Sequence, residues 1–325
     1  MMRSLCLAAF VFCGIVLFSC GESQQGLTSR VTGKPGEVLV VSSLDISKTP
    51  LHDTVESILK AEFPYIPQSE PSFSTMFVTE KTFSHILQPF RNILFIQFHT
   101  DSTRVSLRTA QDRWAVGQRL LYLSGPDQPS IASYLSAHKE LFYNLFEEFE
   151  RTRLQEANRL LEEKSLGDSI RRFFGLSLLF PRGYQLRRTA PDFRWYSIET
   201  KDISQGILVY KFKRGTNCWA LDTLIAHRDL MTHRYVPGPT PNTYMETAQT
   251  VPPTLSFHPW GADTVYQVRG FWEVHGHAMG GAFLSYSRLT AGRDSVVTTE
   301  GYIYAPKFKK RDYVRALDAL LRSQF

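Results

Sequence analysis

The chain has 325 residues, of which 43% are hydrophobic and 21% are charged, and its formal net charge is +6. This composition is that of a folded globular protein, and it excludes a disordered or fibrous chain. The length exceeds the size at which a single hydrophobic core usually stops growing, so we expect two domains.

The amino terminus has the features of a bacterial lipoprotein signal. Arg3 precedes an apolar run from Leu5 to Phe18, and Ser19 and Cys20 follow directly. Such a run before a small residue is typical of a secretory signal peptide, and the cysteine that follows is similar to the lipobox. We therefore expect cleavage after Ser19 and a lipid on Cys20. A transmembrane anchor is the alternative, but the run of about 14 residues is shorter than the roughly 20 needed to cross a bilayer.

This signal predicts a mature chain held at a membrane of the cell envelope, on its periplasmic or its surface face. Residues 1–19 would be lost, and residues 20–34, rich in Ser, Gln, Gly and Thr, would form a flexible tether. Cys218 would then be the lone thiol of the mature chain, which excludes an intramolecular disulfide. We expect Cys218 to be buried, and we expect the membrane, but not nucleic acid, to be a partner.

Residues 35–127 are predicted to form an α+β domain. Glu37–Val41 has the pattern of a buried strand, and Thr49-Pro50 is an N-cap and first-turn signal for a helix that runs to Glu62. Strands and helices then alternate, which favours a mixed sheet with helices on one face. The other predicted elements are strands over 73–78, 91–98, 104–109 and 118–123 and a short helix near 82–88.

Residues 128–166 carry apolar residues three or four positions apart, the spacing of one face of a helix. We predict one long helix that packs on the first sheet and continues to the second domain. The helical pattern itself runs from Pro129 to about Lys164, and at 1.5 Å per residue these roughly 35 residues would span about 50 Å. The apolar register slips around Arg151–Arg153, and a coiled coil that binds a partner is the alternative.

Residues 167–325 are predicted to form a second α+β domain that is richer in strands. Proline-rich segments at 236–241 and 251–253 predict an irregular surface loop. The pattern after this loop indicates an antiparallel meander covered by a final helix over 312–323. The predicted elements are strands over 184–188, 193–199, 207–212, 264–274, 282–289 and 296–304 and a helix over 222–234.

His275 and His277 form the best metal-like pair in the sequence. Residues two apart on a strand point to one face, so the two imidazoles could act together, with His258, His233 or Glu273 as a third group. Two ligands do not make a metal site, and the alternative is a strand end with solvated histidines. We predict no cofactor and no metal.

Gly167-Asp168-Ser169 is similar to the nucleophile block of one class of lipases and esterases. That chemistry needs a serine on a strand-to-helix turn and a later Asp-x-x-His, and neither context is present. We therefore predict a helix N-cap at Asp168 or Ser169. A phosphate-binding loop and a His-Glu-x-x-His motif are also absent from the sequence.

Lys307, Lys309, Lys310 and Arg311 form a basic cluster around Phe308. In a chain that is 13% aromatic, such a cluster could hold an acidic glycan or a membrane surface. The alternative is a solvated strand end whose charges discourage aggregation between sheet edges.

Four segments, spaced along the mature chain, are distinctive: Gly33–Val41, Phe63–Pro71, Met279–Tyr286 and Glu300–Arg311. Together they resemble an uncharacterised domain-of-unknown-function family of envelope lipoproteins in bacteria with two membranes. The resemblance implies an envelope lipoprotein and carries over no catalytic residue. Within it, Met279-Gly280-Gly281 is a candidate binding segment, because its glycines would permit positive φ or the close approach of another backbone. A tight turn is the alternative.

These observations predict a membrane-tethered envelope protein without enzymatic activity, whose α+β domains bind a protein or glycan partner. The alternative is a hydrolase of envelope substrates with an unfamiliar site near His275 and His277. The candidate binding residues are His275, His277, Met279, Gly280, Gly281, Lys307, Lys309, Lys310 and Arg311.

Overall fold

The computed structural model describes residues 30–325 apart from Ala262. The signal peptide, the cleavage after Ser19, the lipid site Cys20 and the first part of the tether lie outside the described residues. The described chain forms two β-sheets with helices packed on them, an α+β fold of two domains, which confirms the predicted fold class. Within the described residues, we find no helix that combines the length and the apolarity of a membrane span.

The N-terminal domain contains five strands: β1 (Glu37–Ser42), β2 (Ser74–Thr79), β3 (Asn92–Phe98), β4 (Ser106–Gln111) and β5 (Arg119–Gly125). Their order in the sheet is β2-β1-β3-β5-β4, and only the pairing of β4 with β5 is antiparallel. The central strands are covered on both faces, which explains why β1 and β3 are apolar at consecutive positions.

Three helices cover one face of this sheet: α1 (Pro50–Leu59), α2 (Gln128–Ala137) and α3 (Lys139–Leu160). The first begins where the sequence predicts, at Thr49, whose hydroxyl accepts a hydrogen bond from the backbone N–H of His52 at 3.4 Å. Phe142 and Phe146 of α3 pack against the sheet. The helix predicted near 82–88 is a series of turns, because Pro89 disfavours helical backbone at the preceding residue.

The predicted linking helix over 128–166 is not continuous. At His138 the backbone leaves helical geometry, with φ of −120° and ψ of 26°, and α2 ends there. The imidazole stacks on the ring of Tyr134 at a centroid distance of 4.2 Å, and its Nδ1 lies 2.9 Å from the carbonyl oxygen of the same residue. The apolar spacing continues across His138, so the sequence pattern contains no sign of this break.

A further helix, α4 (Lys164–Phe174), follows the end of α3. Asp168 and Ser169, for which we predict an N-cap, lie inside α4 instead, because the helix begins earlier than the polar pair suggests. Ile170 and Phe174 place α4 in the core of the C-terminal domain.

The C-terminal domain contains eight strands and two further helices. These elements are β6 (Gln185–Ala190), β7 (Phe193–Glu199), β8 (Ser204–Lys213), α5 (Leu221–Tyr235), β9 (Met245–Thr247), β10 (Thr254–Trp260), β11 (Asp263–Val274), β12 (His277–Leu289), β13 (Ser295–Tyr304) and α6 (Arg311–Leu321). The strands form one antiparallel sheet with the order β10-β11-β12-β13-β8-β7-β6, in which β9 pairs with β11. Helix α5 packs on one face of this sheet, and α4 and α6 pack on the other.

The proline-rich region contains two strands that the sequence analysis missed, β9 and β10. The second contains Pro259 and lies at the edge of the sheet. A proline is tolerated there because an edge strand has one side without ladder hydrogen bonds. Cys218 is free and buried, as expected from the sequence.

The two domains meet where α3 packs against α6, and the contact is held by buried charges. The guanidinium of Arg315, on α6, donates to the carboxylate of Glu147, on α3, with an Nε–Oε2 distance of 3.0 Å. The same guanidinium lies 4.6 Å from the ring centroid of Phe73. Because Arg315 is only 5% exposed, this pair is largely removed from water.

Candidate functional site

The candidate site lies at the hairpin that joins β11 to β12. A tight turn connects the two strands, and Gly276 adopts φ of 74° within it. Val274 pairs with His277 across the turn, so β12 begins five positions before the predicted start at residue 282. The extra residues, His277–Gly281, extend β12 beyond the end of its ladder with β13.

The segment His277–Gly281 has one strand neighbour instead of two. On one side, Gly281, Gly280 and His277 lie opposite Trp272, Glu273 and Val274 of β11, and a register shift leaves Ala278 and Met279 without a partner in β11. On the other side β12 pairs with β13, but that ladder begins only at Ala282, opposite Ile303. Within the described residues no strand is paired to this side of 277–281, and we call the segment the open edge.

The two glycines of the open edge are required by close backbone approach and not by positive φ. A Cβ added to Gly280 would lie 2.6 Å from the carbonyl oxygen of Trp272, and one added to Gly281 would lie 2.0 Å from that of Ile303. Both distances are far below van der Waals contact. The close approach expected from the sequence is therefore present, but the backbones that approach belong to the neighbouring strands of the same sheet.

A groove with a volume of about 590 Å³ runs along the open edge. Its far wall comes from the N-terminal domain, through Ile66 and Pro67. The contact between the domains continues here, because the rings of Tyr65 and Phe271 lie 6.1 Å apart. The remaining lining residues are Ala248, Thr250, Val251, Phe271, Trp272, Glu273, His277, Ala278, Met279, Gly280 and Gly281.

Trp272 forms the buried part of the groove wall. Its side chain is 2% exposed and packs edge-on against Tyr302 at a centroid distance of 5.4 Å. The indole N–H has no acceptor among the described residues. An unsatisfied donor of this kind costs about 1–3 kcal/mol. The indole nitrogen would lie 3.1 Å from a Cβ at Gly281, so a side chain at that position would crowd Trp272 as well as Ile303.

The structure separates the two candidate histidines. His275 lies in the turn, where its Nδ1 is 3.1 Å from Oε1 of Glu246 and its ring stacks on Tyr244 at 4.8 Å. His277 lines the groove. The prediction that both lie on one strand and point to one face is wrong, because the turn intervenes. In the part of the chain that the structure describes, no group of three or more His, Cys, Asp or Glu side chains could hold a metal ion.

The basic cluster is largely occupied by contacts within the protein. Lys307 lies 2.6 Å from Asp202, and this contact raises the pKa of its ammonium. Lys310 is buried and its backbone N–H donates to Glu70 at 2.6 Å, while Arg311 donates to the carbonyl oxygen of Pro71 at 2.8 Å. Only Lys309 has an exposed side chain without such a partner among the described residues.

Lys310 and Arg311 thus hold the segment 63–71, whose Ile66 and Pro67 form the far wall of the groove. The structure brings His277, Met279, Gly280 and Gly281 into the groove itself. The lining residues of the N-terminal domain were missed as site residues. Segment 63–71 was distinctive in the sequence, but nothing in its pattern indicates that it folds against a hairpin some 200 positions later.

Comparisons with known proteins point to the same two domains. Residues 31–159 match the family model described as Domain of unknown function (DUF8532), and residues 163–323 match Domain of unknown function (DUF4837). No curated protein matches the chain.

Solved structures give only distant matches. The human StarD13 (DLC2) lipid transfer and protein localization domain is 11% identical, with 50% of this chain and 95% of that chain covered and a TM-score of 0.23. Human STARD10 is 13% identical, with 43% and 74% covered and a TM-score of 0.21. Overlaps this low do not bear on function.

Proposed function

From this chain of two domains of unknown function, we propose a non-enzymatic binding protein of the cell envelope, tethered to a membrane through Cys20. Its binding site is the groove beside the open edge, and its partner is a protein that offers an extended segment. The partner segment lies alongside His277–Gly281 as an added strand.

The open edge is the observation that carries this proposal. A strand without a neighbour leaves backbone N–H and C=O groups unpaired on one side, and these are a template for another chain. An added segment satisfies them with main-chain hydrogen bonds, and pockets for its side chains provide specificity. Residues 277–281 lie opposite only three residues of β11, Trp272–Val274, so the edge is about 10 Å long at about 3.3 Å per residue.

The lining of the groove suits a protein segment better than a sugar. Ile66, Val251 and Met279 present aliphatic and thioether groups around the edge, and apolar side chains of an extended segment would bury against them. Val251 is 43% exposed in the unbound protein. Burying apolar surface is worth about 25 cal/mol per Å², so these contacts add affinity to the backbone hydrogen bonds.

No observation favours a hydrolase at this site. A catalytic histidine needs a nucleophile within reach and a group that orients its ring. Among the described residues no side chain is hydrogen-bonded to His277 or to Glu273. His275 is hydrogen-bonded to Glu246, and neither of these two residues lines the groove. The binding function is therefore the one that the geometry supports.

Site-directed photo-crosslinking in intact cells tests the proposal. A photoreactive amino acid replaces Val251 at the groove and, as the matched control, Leu230 on the outer side of α5, which is 58% exposed. We expect Val251 to crosslink one protein through one contiguous peptide, identified by mass spectrometry, and Leu230 not to do so.

A second pair of variants tests the edge itself. Ala278→Lys places a charge on the open edge, which discourages strand addition, and Ala291→Lys places the same charge in an exposed turn elsewhere. We expect Ala278→Lys to abolish the crosslink at Val251 and Ala291→Lys to leave it unchanged. Adducts that contain sugar without peptide, or identical adducts at both crosslinker positions, would contradict the proposal.

A further inference from the structure

A second cavity lies between the domains, away from the groove. It has a volume of about 260 Å³, and its lining includes Glu148, Arg151 and Gln155 of α3, His258 and Trp260 of β10, Tyr286 of β12 and Arg322 just after α6. None of these residues lines the groove. We call this cavity the arginine cleft.

Three guanidinium groups at the arginine cleft share one buried carboxylate. The Oδ atoms of Asp318 lie 3.1 Å from Nε of Arg151, 3.5 Å from Nε of Arg322 and 3.6 Å from Nη2 of Arg269. Among the described residues, the other carboxylate side chain paired with these arginines is that of Glu148, which contacts Arg151 and is 55% exposed. Three guanidinium groups, of which those of Arg151 and Arg322 line the cavity, are thus paired with two carboxylate side chains.

The charge excess is stable over the physiological pH range. Burial raises the pKa of Asp318, but the guanidinium groups of Arg322, Arg269 and Arg151 outweigh it and hold the pKa at about 2. Burial and the neighbouring Asp318 raise the pKa of Tyr286. Asp318 is thus ionised and Tyr286 is neutral, with the Tyr286 hydroxyl donating to the Asp318 carboxylate.

Arg322 has hydrogen-bond donors left for a ligand. Its Nε donates to the hydroxyl of Tyr286 at 2.7 Å, and no described residue accepts a hydrogen bond from its Nη atoms. The side chain is 26% exposed, so these atoms reach the cavity. A guanidinium whose Nη donors are unused can bind two oxygens of a carboxylate or a phosphate in a bidentate arrangement.

The cavity also has an apolar wall. The rings of Trp260 and Phe325 contact each other at a centroid distance of 4.4 Å, and Phe325 packs edge-on against Tyr286 at 5.5 Å. A cavity with a guanidinium at one side and aromatic rings at the other is suited to a small molecule with an anionic end and an apolar or ring-shaped end.

We propose that the arginine cleft binds a small oxyanion, a phosphate or carboxylate group carried by a low-molecular-weight ligand, through the free Nη atoms of Arg322 with Arg151 beside it. Cleft and groove are separate, so this inference does not depend on the peptide-binding function.

Isothermal titration calorimetry of the purified protein with inorganic phosphate tests this proposal, with acetate as the carboxylate probe and sodium chloride at matched ionic strength as the background. We expect saturable binding of phosphate or acetate above the chloride background, and the tighter of the two identifies the preferred oxyanion. Arg322→Gln should weaken that binding about tenfold, since it removes a charged hydrogen-bond donor. Arg293→Gln, at an arginine 60% exposed and paired with Asp263, is the matched control and should have no effect.

A gain-of-affinity variant protects the test against simple misfolding. Glu148→Gln removes the exposed carboxylate that competes for Arg151 and leaves the shape nearly unchanged, so it should tighten binding about threefold. A purely structural arginine cluster would not bind more tightly in this variant. Titrations with phosphate and acetate that match the chloride background in the wild-type protein would overturn the proposal, as would equal affinities in the wild type and in Glu148→Gln.

Discussion

Two acidic residues of the C-terminal domain, Glu300 and Asp318, are both paired with arginine, but their surroundings differ. Glu300 is fully buried under α5, where Arg228 donates to it from Nε at 3.0 Å and from Nη2 at 2.8 Å. The same guanidinium donates to Thr247 at 2.9 Å and lies 3.9 Å from the ring centroid of Phe283. Asp318 faces three arginines at the rim of a cavity.

We call the pair of Arg228 and Glu300 the closed pair, and the group of arginines around Asp318 the open pair. In the closed pair the guanidinium donors of Arg228 are used within the protein, by Glu300, Asp229, Thr247 and Met245, so no donor is left for a ligand. At Asp318 the charges do not balance and the unused donors of Arg322 face the cavity. Burial of charge alone is therefore poor evidence for a site, whereas an uncompensated charge with free donors beside a cavity is good evidence.

The largest expected effect tests the closed pair. Arg228→Met leaves the carboxylate of Glu300 buried without a partner, and breaking a buried ion pair in this way costs about 3–5 kcal/mol. We expect a loss of this size in the free energy of unfolding, measured with urea. The double variant Arg228→Met/Glu300→Leu should recover much of it, because it removes both charges. Equal stability of the two variants would show that packing, not charge, dominates here.

An intermediate effect tests the open pair through pH. The pKa of Asp318 is depressed to about 2 from 3.8, so its stabilisation is present above pH 4 and is lost as the pH falls toward 2. The shift corresponds to about 2 kcal/mol. Asp318→Asn should be less stable than the wild type at pH 7, and the difference in the free energy of unfolding should shrink by this amount at pH 2. A difference that is constant between pH 7 and pH 2 would contradict the ionised state of Asp318.

The smallest effect sets the baseline for the comparison. Arg293 and Asp263 form a surface pair with an Nη1–Oδ1 distance of 2.8 Å and exposures of 60% and 43%. Exposed pairs contribute little to stability, so Arg293→Gln should change the free energy of unfolding by less than about 0.5 kcal/mol. A larger loss in urea unfolding would mean that this turn is more strongly coupled to the sheet than its exposure indicates.

Much of the fold could be predicted from local pattern. The helix start at Thr49-Pro50 and the strand Phe193–Glu199 are where the sequence places them. The errors occur where contacts of particular residues, local or tertiary, override the pattern. His138 ends α2 inside an unbroken apolar repeat, and β10 forms in a proline-containing segment because β11 offers it an edge.

Only part of the candidate site could be predicted from the sequence. Met279-Gly280-Gly281 was identified from its glycines, and the close backbone approach that they permit is present. The arginine cleft had no sequence signal, because Asp318 and Arg322 form an ordinary i,i+4 pair at the end of the last helix, and Arg151 lies on α3, 167 positions before Asp318. Their convergence depends on how α3 docks on α6.

The sequence by itself determined the two α+β domains and most of their strands and helices, and it is the sole basis for expecting a lipid on Cys20. Periodicity can do this because it records which face of each element is buried. Only the tertiary structure decided that β13 stops short of His277–Gly281, that segment 63–71 closes a groove there, and that three arginines meet at one aspartate. These features arise from strand register and from the docking of distant helices, and neither can be predicted from the spacing of apolar residues along the chain.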